Sequence, residues 1–273
     1  MARLSTTDQL ADLRRTYTGE NLSQAVPAVR DGGPVLPDAA TEAQRRLEAQ
    51  VLLAGCTAAS MLQLMPPASI VTPTHAFRTV EPGETLRLHL TDRALGPLLF
   101  ELLPRTEGGF GMGVAGLEHR QYRRSAELTT GDAGVVLAGV DEHAWDLGMR
   151  YVRWMHEHRG VEYTDGGGNE DEVAEAATGS ALLRRVHLWH DASWLRALPM
   201  GGAWFAEWAG GPAEDEIRRK LDHPEFGTTR QVVLRRIDAP AEDVEQGLRT
   251  YPWPEEFVSA VTATEPDQRP HRR

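Results

Sequence analysis

Lysine is almost missing from this chain. Lys220 is the only one, so 28 of the 29 basic residues are arginine. With abundant alanine, glycine and proline, that skew reads as the coding bias of a GC-rich bacterium rather than as a surface built for phosphates. Cysteine is down to one, Cys56, which excludes an internal disulfide and a cysteine-built zinc site. Its setting, "LLAGCTAAS", predicts a buried, inert thiol. No apolar run approaches the ~20 residues that span a bilayer. The first twenty residues lack the apolar core of a signal peptide, so the expected setting is the cytoplasm, with no membrane partner. Positive charge is in deficit. A net charge of −11 argues against nucleic acid as the default partner, because phosphate binding needs a concentrated positive field. G-x-S-x-G, Walker A, H-E-x-x-H and paired-cysteine motifs are all missing, so the common hydrolase, NTPase and metal templates gain no support. No cofactor and no metal are expected.

What remains is ordinary globular material: 273 residues, 41% hydrophobic and 25% charged, enough for a sizeable core. The N-terminal 65 residues read as helical. "TTDQLADLRRTY" offers Thr7 or Asp8 as a cap and Leu10, Leu13 and Tyr17 as an apolar face. "NLSQAVPAVRDGG" predicts at most a short helix, because Pro27 interrupts it. "DAATEAQRRLEAQVLLAGCTAASMLQLM" carries the strongest helical stripe, Ala43, Leu47, Val51 and Ala54, with Glu42, Arg45 and Glu48 opposite. Residues 68–140 change character to short β-like runs, "SIVTPTHAFRTV", "ETLRLHL", "PLLFELL", "GFGMGVAGLEHRQYRRSAELT" and "AGVVLAGV", separated by turn residues. In "TLRLHL", Leu86, Leu88 and Leu90 alternate with Arg87 and His89, the pattern of an antiparallel strand with one wet face.

From Val135 onward a looser theme recurs: an apolar strand, then Asp or Gly-Gly-Pro, then an acidic first helical turn. Asp141, Asp191 and Asp238 stand where a strand hands over to a helix and are predicted caps. Pro212 fits a first helical position. The predicted class is α+β: a helical N-terminal segment, an antiparallel sheet region, and a C-terminal β-α-β-α layer. Residues 1–158 form the first predicted unit. Residues 159–180, with three consecutive glycines and six acids, predict a linker or exposed loop, with a short helix at 170–177. Residues 181–260 form a small Trp-rich layer, and 261–273 a disordered tail.

"GGFGMGVAG" holds Gly111, Gly113 and Gly116 in the spacing G-x-G-x-x-G. A dinucleotide fingerprint needs a strand ending at the first glycine and a helix starting by the third. Here Phe110, Met112 and Val114 alternate with glycines, which predicts a strand whose bare side lets backbone approach closely. "LRRTYTGENLSQAVPAV", followed by "DAATEAQRRLEAQVLLA", resembles the openings of uncharacterised actinobacterial proteins, some of them on plasmids or other mobile elements. The resemblance implies a host lineage and no activity.

Two functional readings survive. The first is a non-catalytic intracellular binding or assembly protein that uses Trp189, Trp194, Trp204 and Trp208, four tryptophans within 20 residues, to bind a protein partner or itself. The second is an enzyme with acid/base groups at His187, His190 and Glu207, acting on a small-molecule ligand. As strand residues three apart, His187 and His190 should point to opposite faces, which disfavours joint metal ligation. His156 and His158, two apart on a helix, diverge as well.

Overall fold

A computed structural model describes residues 5–30, 34–62, 76–91, 93–163, 173–228, 230 and 232–237. Helix α1 (Thr6–Thr18) is capped by Ser5, two residues before Thr7 and three before Asp8, the caps its sequence suggests. Ser5 accepts the backbone N–H of Asp8, and the Asp8 carboxylate takes the N–H of Ser5. That reciprocal box satisfies two donors at once and outcompetes Thr7 or Asp8 as the cap. Helix α2 (Leu22–Arg30) runs through Pro27 for nine residues. Helix α3 (Glu42–Leu62) is the longest among the described residues; Leu47 and Val51 of its predicted stripe are fully buried, whereas Ala43 is exposed and Glu48, expected on the opposite side, is fully buried.

Strands β1 (Phe77–Glu81) and β2 (Leu86–Leu90) follow, then helix α4 (Leu95–Leu102), strands β3 (Arg105–Glu107), β4 (Phe110–Met112), β5 (Glu118–Tyr122), β6 (Ser125–Thr130) and β7 (Ala133–Ala138), and helix α5 (Glu142–Arg159). The run "PLLFELL", expected as a strand, is most of α4. Seven of the eight α4 residues are buried, and an uninterrupted apolar run carries no period to separate helix from strand. Asp141 caps α5 as predicted, accepting the N–H of Ala144 at 2.9 Å. The first sheet has the order β1-β2-β7-β6-β5. Its hairpins are antiparallel, but β2 and β7 pair in parallel, Leu86 beside Val135 and Leu88 beside Leu137. The sheet region is therefore mixed rather than wholly antiparallel.

The glycine-rich run is strand and turn. Strand β4 pairs with β3, which pairs on its other side with β8 (Glu162–Tyr163). The next element after Gly116 is strand β5, not a helix. Gly113 has φ +77°, and a Cβ there would lie 2.2 Å from the carbonyl oxygen of Leu103. The glycine is required by a backbone-to-backbone approach, as its strand pattern implied.

Of the predicted linker, residues 164–172 lie outside the described residues. Helix α6 (Ala176–Leu183) occupies its end, six residues beyond the predicted start, and is buried. The C-terminal layer departs from the expected order. Val186–Trp189 is a 3₁₀ turn, followed by strands β9 (Ala192–Met200) and β10 (Ala203–Gly210), helix α7 (Glu214–Leu221) and strand β11 (Val232–Ile237). Strands β9 and β10 form an antiparallel hairpin, and β11 joins β10 in parallel. Asp191 thus precedes a strand instead of capping a helix. Pro212 stands just ahead of the Ala213 cap of α7. Asp238 and the predicted tail lie outside the described residues.

One hydrophobic cluster joins elements from both ends of the described chain, from Leu47 on α3 and Leu88 on β2 to Leu137 on β7, Leu183 on α6 and Trp204 on β10, while Ala25 and Val29 of α2 pack with Ala11 in a separate small cluster. Residues from both predicted units therefore share a core. Among the described residues no helix is long and apolar enough to cross a membrane.

Candidate functional site

Alternation along the C-terminal hairpin sorts its side chains into two faces. Trp204, Ala206 and Trp208 of β10 turn inward, with Leu195 and Ala197 of β9 and Leu234 of β11, all within the core cluster. The indole N–H of Trp204 donates to the carbonyls of Ala174 and Glu175 at 3.1 and 2.9 Å. That of Trp208 donates to the Pro212 carbonyl at 2.9 Å. Gly179 has no Cβ because the Trp204 ring fills that space, 2.3 Å from where one would stand. Trp189 meets Trp208 edge-on at 6.1 Å. These three indoles are core residues, two of them hydrogen-bonded and the Trp189 N–H buried without an acceptor: they back the sheet, and the expected aromatic surface is not made of their rings.

The other face is built from the residues in between. Phe205 lies between Leu198 on β9 and Val233 on β11. One step along, Glu207 lies between Arg196 and Arg235, paired to them at 3.0 and 3.4 Å. Met200, opposite Ala203, is 54% exposed. Leu198 and Phe205 are half-buried, and neither belongs to the core cluster. The result is an apolar row beside a charged row on an outward-facing sheet. Trp194 sits on this face by register, opposite Ala209, which is in turn opposite Ile237. It is 5% exposed, and Ala209 opposite it is 2% exposed.

The histidines are elsewhere. A 3₁₀ turn has three residues per turn, so side chains at i and i+3 eclipse. His187 and His190 accordingly stack, ring centroids 4.4 Å apart and planes 13° from parallel. The opposite-face expectation fails because the segment is a turn and not a strand. His190 Nδ1 contacts the His187 carbonyl at 3.0 Å, and its Nε2 pairs with Asp191 at 3.0 Å. His187 is pressed against the αL Gly19 at the end of α1, where a Cβ would come within 2.6 Å of Nδ1. Burial, and then the neighbouring His190, push the His187 pKa down to about 4, against the pull of the Arg78 carbonyl and Asp191. It is a neutral imidazole at pH 7. Glu207 lies across the sheet, on the face away from Trp208 and the turn bearing His187. The structure gathers the two histidines and leaves the carboxylate apart, held by two arginines.

His156 and His158 also separate, one against Phe100 and the other stacked on Trp154. Burial, followed by the Arg105 charge, lowers the His156 pKa. Cys56 is buried, and its thiol is pushed up to about 11 by desolvation, which makes it unreactive. Among the described residues no group of three or more His, Cys, Asp or Glu side chains is placed to hold a metal ion. A second apolar exposure is the tip of the β3–β4 hairpin, where Phe110 is 74% exposed. Sequence reasoning missed Leu198, Phe205 and Val233. The signal was present in "AWFAEWAG", whose alternation assigns the tryptophans and Phe205 to opposite faces. Comparison with protein-family models, with curated proteins and with solved structures finds no match to this chain.

Proposed function

We propose that this is a non-catalytic binding or assembly protein of the bacterial cytoplasm, whose contact surface is the outward face of the β9–β10–β11 sheet. One observation carries the reading. Leu198, Phe205 and Val233 form a continuous apolar row across all three strands, outside the core and beside two half-neutralised arginines. A sheet face backed by buried tryptophans offers a preorganised surface, which lowers the ordering cost of association. An apolar centre with an arginine rim suits a protein segment that is amphipathic and acidic. Arg196 and Arg235 against the single Glu207 give this face local positive character within a chain of net charge −11.

The test uses protein purified under gentle conditions from its host and analysed by native mass spectrometry, beside a Phe205→Glu variant. A co-purifying protein or a defined oligomer should be present with the native chain and lost with the variant. Circular dichroism must show the variant folded, as its half-exposed position allows. A partner retained by Phe205→Glu, or a native chain that stays a bare monomer, overturns the reading.

The second reading, acid/base chemistry, keeps one favourable observation: two stacked imidazoles, one held neutral at pH 7. Its site would consist of His187, His190 and Asp191, without Glu207. A bound small molecule in the same mass spectra, released by His190→Gln, would support it.

A further inference from the structure

The free edge of the first sheet carries a sign opposite to that of the chain. In the order β1-β2-β7-β6-β5, strand β5 has a neighbour on one side only. All of its residues are exposed except the half-buried Gln121. Among the described residues no backbone hydrogen bond reaches Glu118–Tyr122 from anything but β6, so a row of N–H and C=O groups faces outward. Side chains alternate along the strand. His119 and Gln121 take one face, where the His119 ring lies 4.9 Å from that of Trp145 and Gln121 donates to the Val140 carbonyl at 3.2 Å. Glu118, Arg120 and Tyr122 take the other, and Arg123 and Arg124 form the turn into β6.

Arg120, Arg123 and Arg124 are exposed, and Glu118 is the one acid in this stretch. Acids outnumber bases in the chain by 40 to 29, and arginines elsewhere are matched: Arg15 with Asp12, Arg87 with Glu81, Arg159 with Glu107 and Arg218 with Glu214. Among the described residues the side chains of Arg120, Arg123 and Arg124 have no ion pair and no hydrogen bond. Arg120 stands directly opposite Glu127 in the ladder, yet the Glu127 carboxylate accepts the Tyr122 hydroxyl at 3.0 Å instead. The edge thus offers unmatched positive charge beside unmatched backbone groups.

Those two features together select a partner. The main-chain groups of an open edge are met by an extended peptide, which adds to the sheet as a further strand. A phosphate chain would meet the arginines and leave the backbone row unpaired. A second copy of β5 brings only Glu118 against three arginines, so the seam would keep a net positive charge. Carboxylates on an incoming strand remove that charge, and opposite charges facing one another across a strand pair are favourable where like charges are not. We propose that β5 and its turn are a docking edge for an extended acidic peptide of a partner protein, held by main-chain hydrogen bonds to β5 and by Arg120, Arg123 and Arg124. This edge belongs to the first sheet and is a second contact, independent of the β9–β10–β11 face.

The test is fluorescence anisotropy of a labelled peptide of alternating glutamate and threonine, about ten residues long, titrated with the full chain. The peptide should bind, and Arg120→Gln/Arg123→Gln/Arg124→Gln should weaken it about ten-fold, the scale of three exposed ion pairs. Hydrogen exchange of the β5 amides should slow several-fold in the complex, because new main-chain bonds protect them. If circular dichroism shows the triple variant unfolded, Arg123→Gln/Arg124→Gln at the turn replaces it. A peptide that does not bind overturns the proposal, as does one that binds the variant equally well or leaves β5 exchange unchanged. A single-stranded oligonucleotide of equal charge that binds more tightly at the same salt decides against it, in favour of a phosphate chain. A dimer of the native chain that the triple variant dissolves decides against it as well, in favour of a second copy. Binding lost in Phe205→Glu and kept in the triple variant places the peptide on the β9–β10–β11 face and refutes the β5 site.

Discussion

His187 shows how a residue's chemistry is set by its few nearest atoms. Backbone from α1 and the neighbouring His190 ring exclude water and disfavour the imidazolium, and the pKa falls to about 4 from an ordinary 6.5. Above pH 6.5 neither the native nor the unfolded chain is protonated there, and the group contributes nothing to pH dependence. As pH falls from 6.5 toward 4, the unfolded chain binds a proton that the native chain refuses, so stability declines through that window and levels off below it. Urea midpoints of the wild type and a His187→Gln variant, measured across pH 4–7, should converge as the pH falls, because the variant lacks this loss. Parallel curves would remove His187 as the cause. Gly19 is the other half of the contact. With φ +72° and a Cβ position 2.8 Å from the Arg78 carbonyl, Gly19→Ala should cost on the order of 2–3 kcal/mol by strain and displacement together, read from the same denaturation curves.

At the level of elements, legibility followed periodicity. The α3 stripe of Leu47 and Val51, the alternation of Leu86 and Leu88 in β2, and the β7–Asp141–α5 passage were all readable, because each carries its period or its cap in a few adjacent residues. Helix α4 was not, since Leu98, Leu99, Phe100 and Leu102 are apolar at every phase. The turn at Val186–Trp189 was not readable either; the buried Val186, Leu188 and Trp189 imitate a short central strand. The parallel pairing of β2 with β7 joins residues some fifty positions apart and has no local signature. At the candidate site, aromatic density drew attention to Trp204 and Trp208, whereas alternation of the same eight residues picks out Phe205. The glycine motif is the clearest case of context deciding meaning. Gly113→Ala would drive a methyl into the Leu103 carbonyl and should cost on the order of 2–4 kcal/mol. Gly109→Ala, with positive φ but no atom within 4 Å, should cost only ~1 kcal/mol. Equal losses in thermal melts would mean that conformation alone, and not close approach, explains the motif.

Across the whole molecule, one polar contact ties the early helix to the late chain. Glu48 on α3 and Arg184 at the end of α6 are both fully buried and meet at 2.6 Å. Ser180 and Gln44 donate to the same carboxylate at 2.6 and 2.8 Å, and Arg184 also holds the Pro37 carbonyl at 2.7 Å. Gln44 in turn exchanges two hydrogen bonds of 2.9 Å with the backbone of Gly134 on β7. The network therefore joins α3, the first sheet and the helix that leads into the Trp-rich layer, inside the one core they share. Removing a single charge leaves the other buried without its counter-ion, which is costlier than removing the pair. Glu48→Gln should destabilise by about 3–5 kcal/mol, and the double variant Glu48→Leu/Arg184→Met should recover a substantial part of that loss. The shared core makes a further demand on the same experiment. Near-ultraviolet dichroism reports mainly the tryptophans of the C-terminal half, and far-ultraviolet dichroism reports helices from both halves. If residues 1–158 and 181–237 unfold as one cooperative body, the two transitions coincide in the native protein and shift together in Glu48→Gln. Two separated transitions, with only one of them moved by Glu48→Gln, would show instead that the halves are distinct folding units in contact across this network.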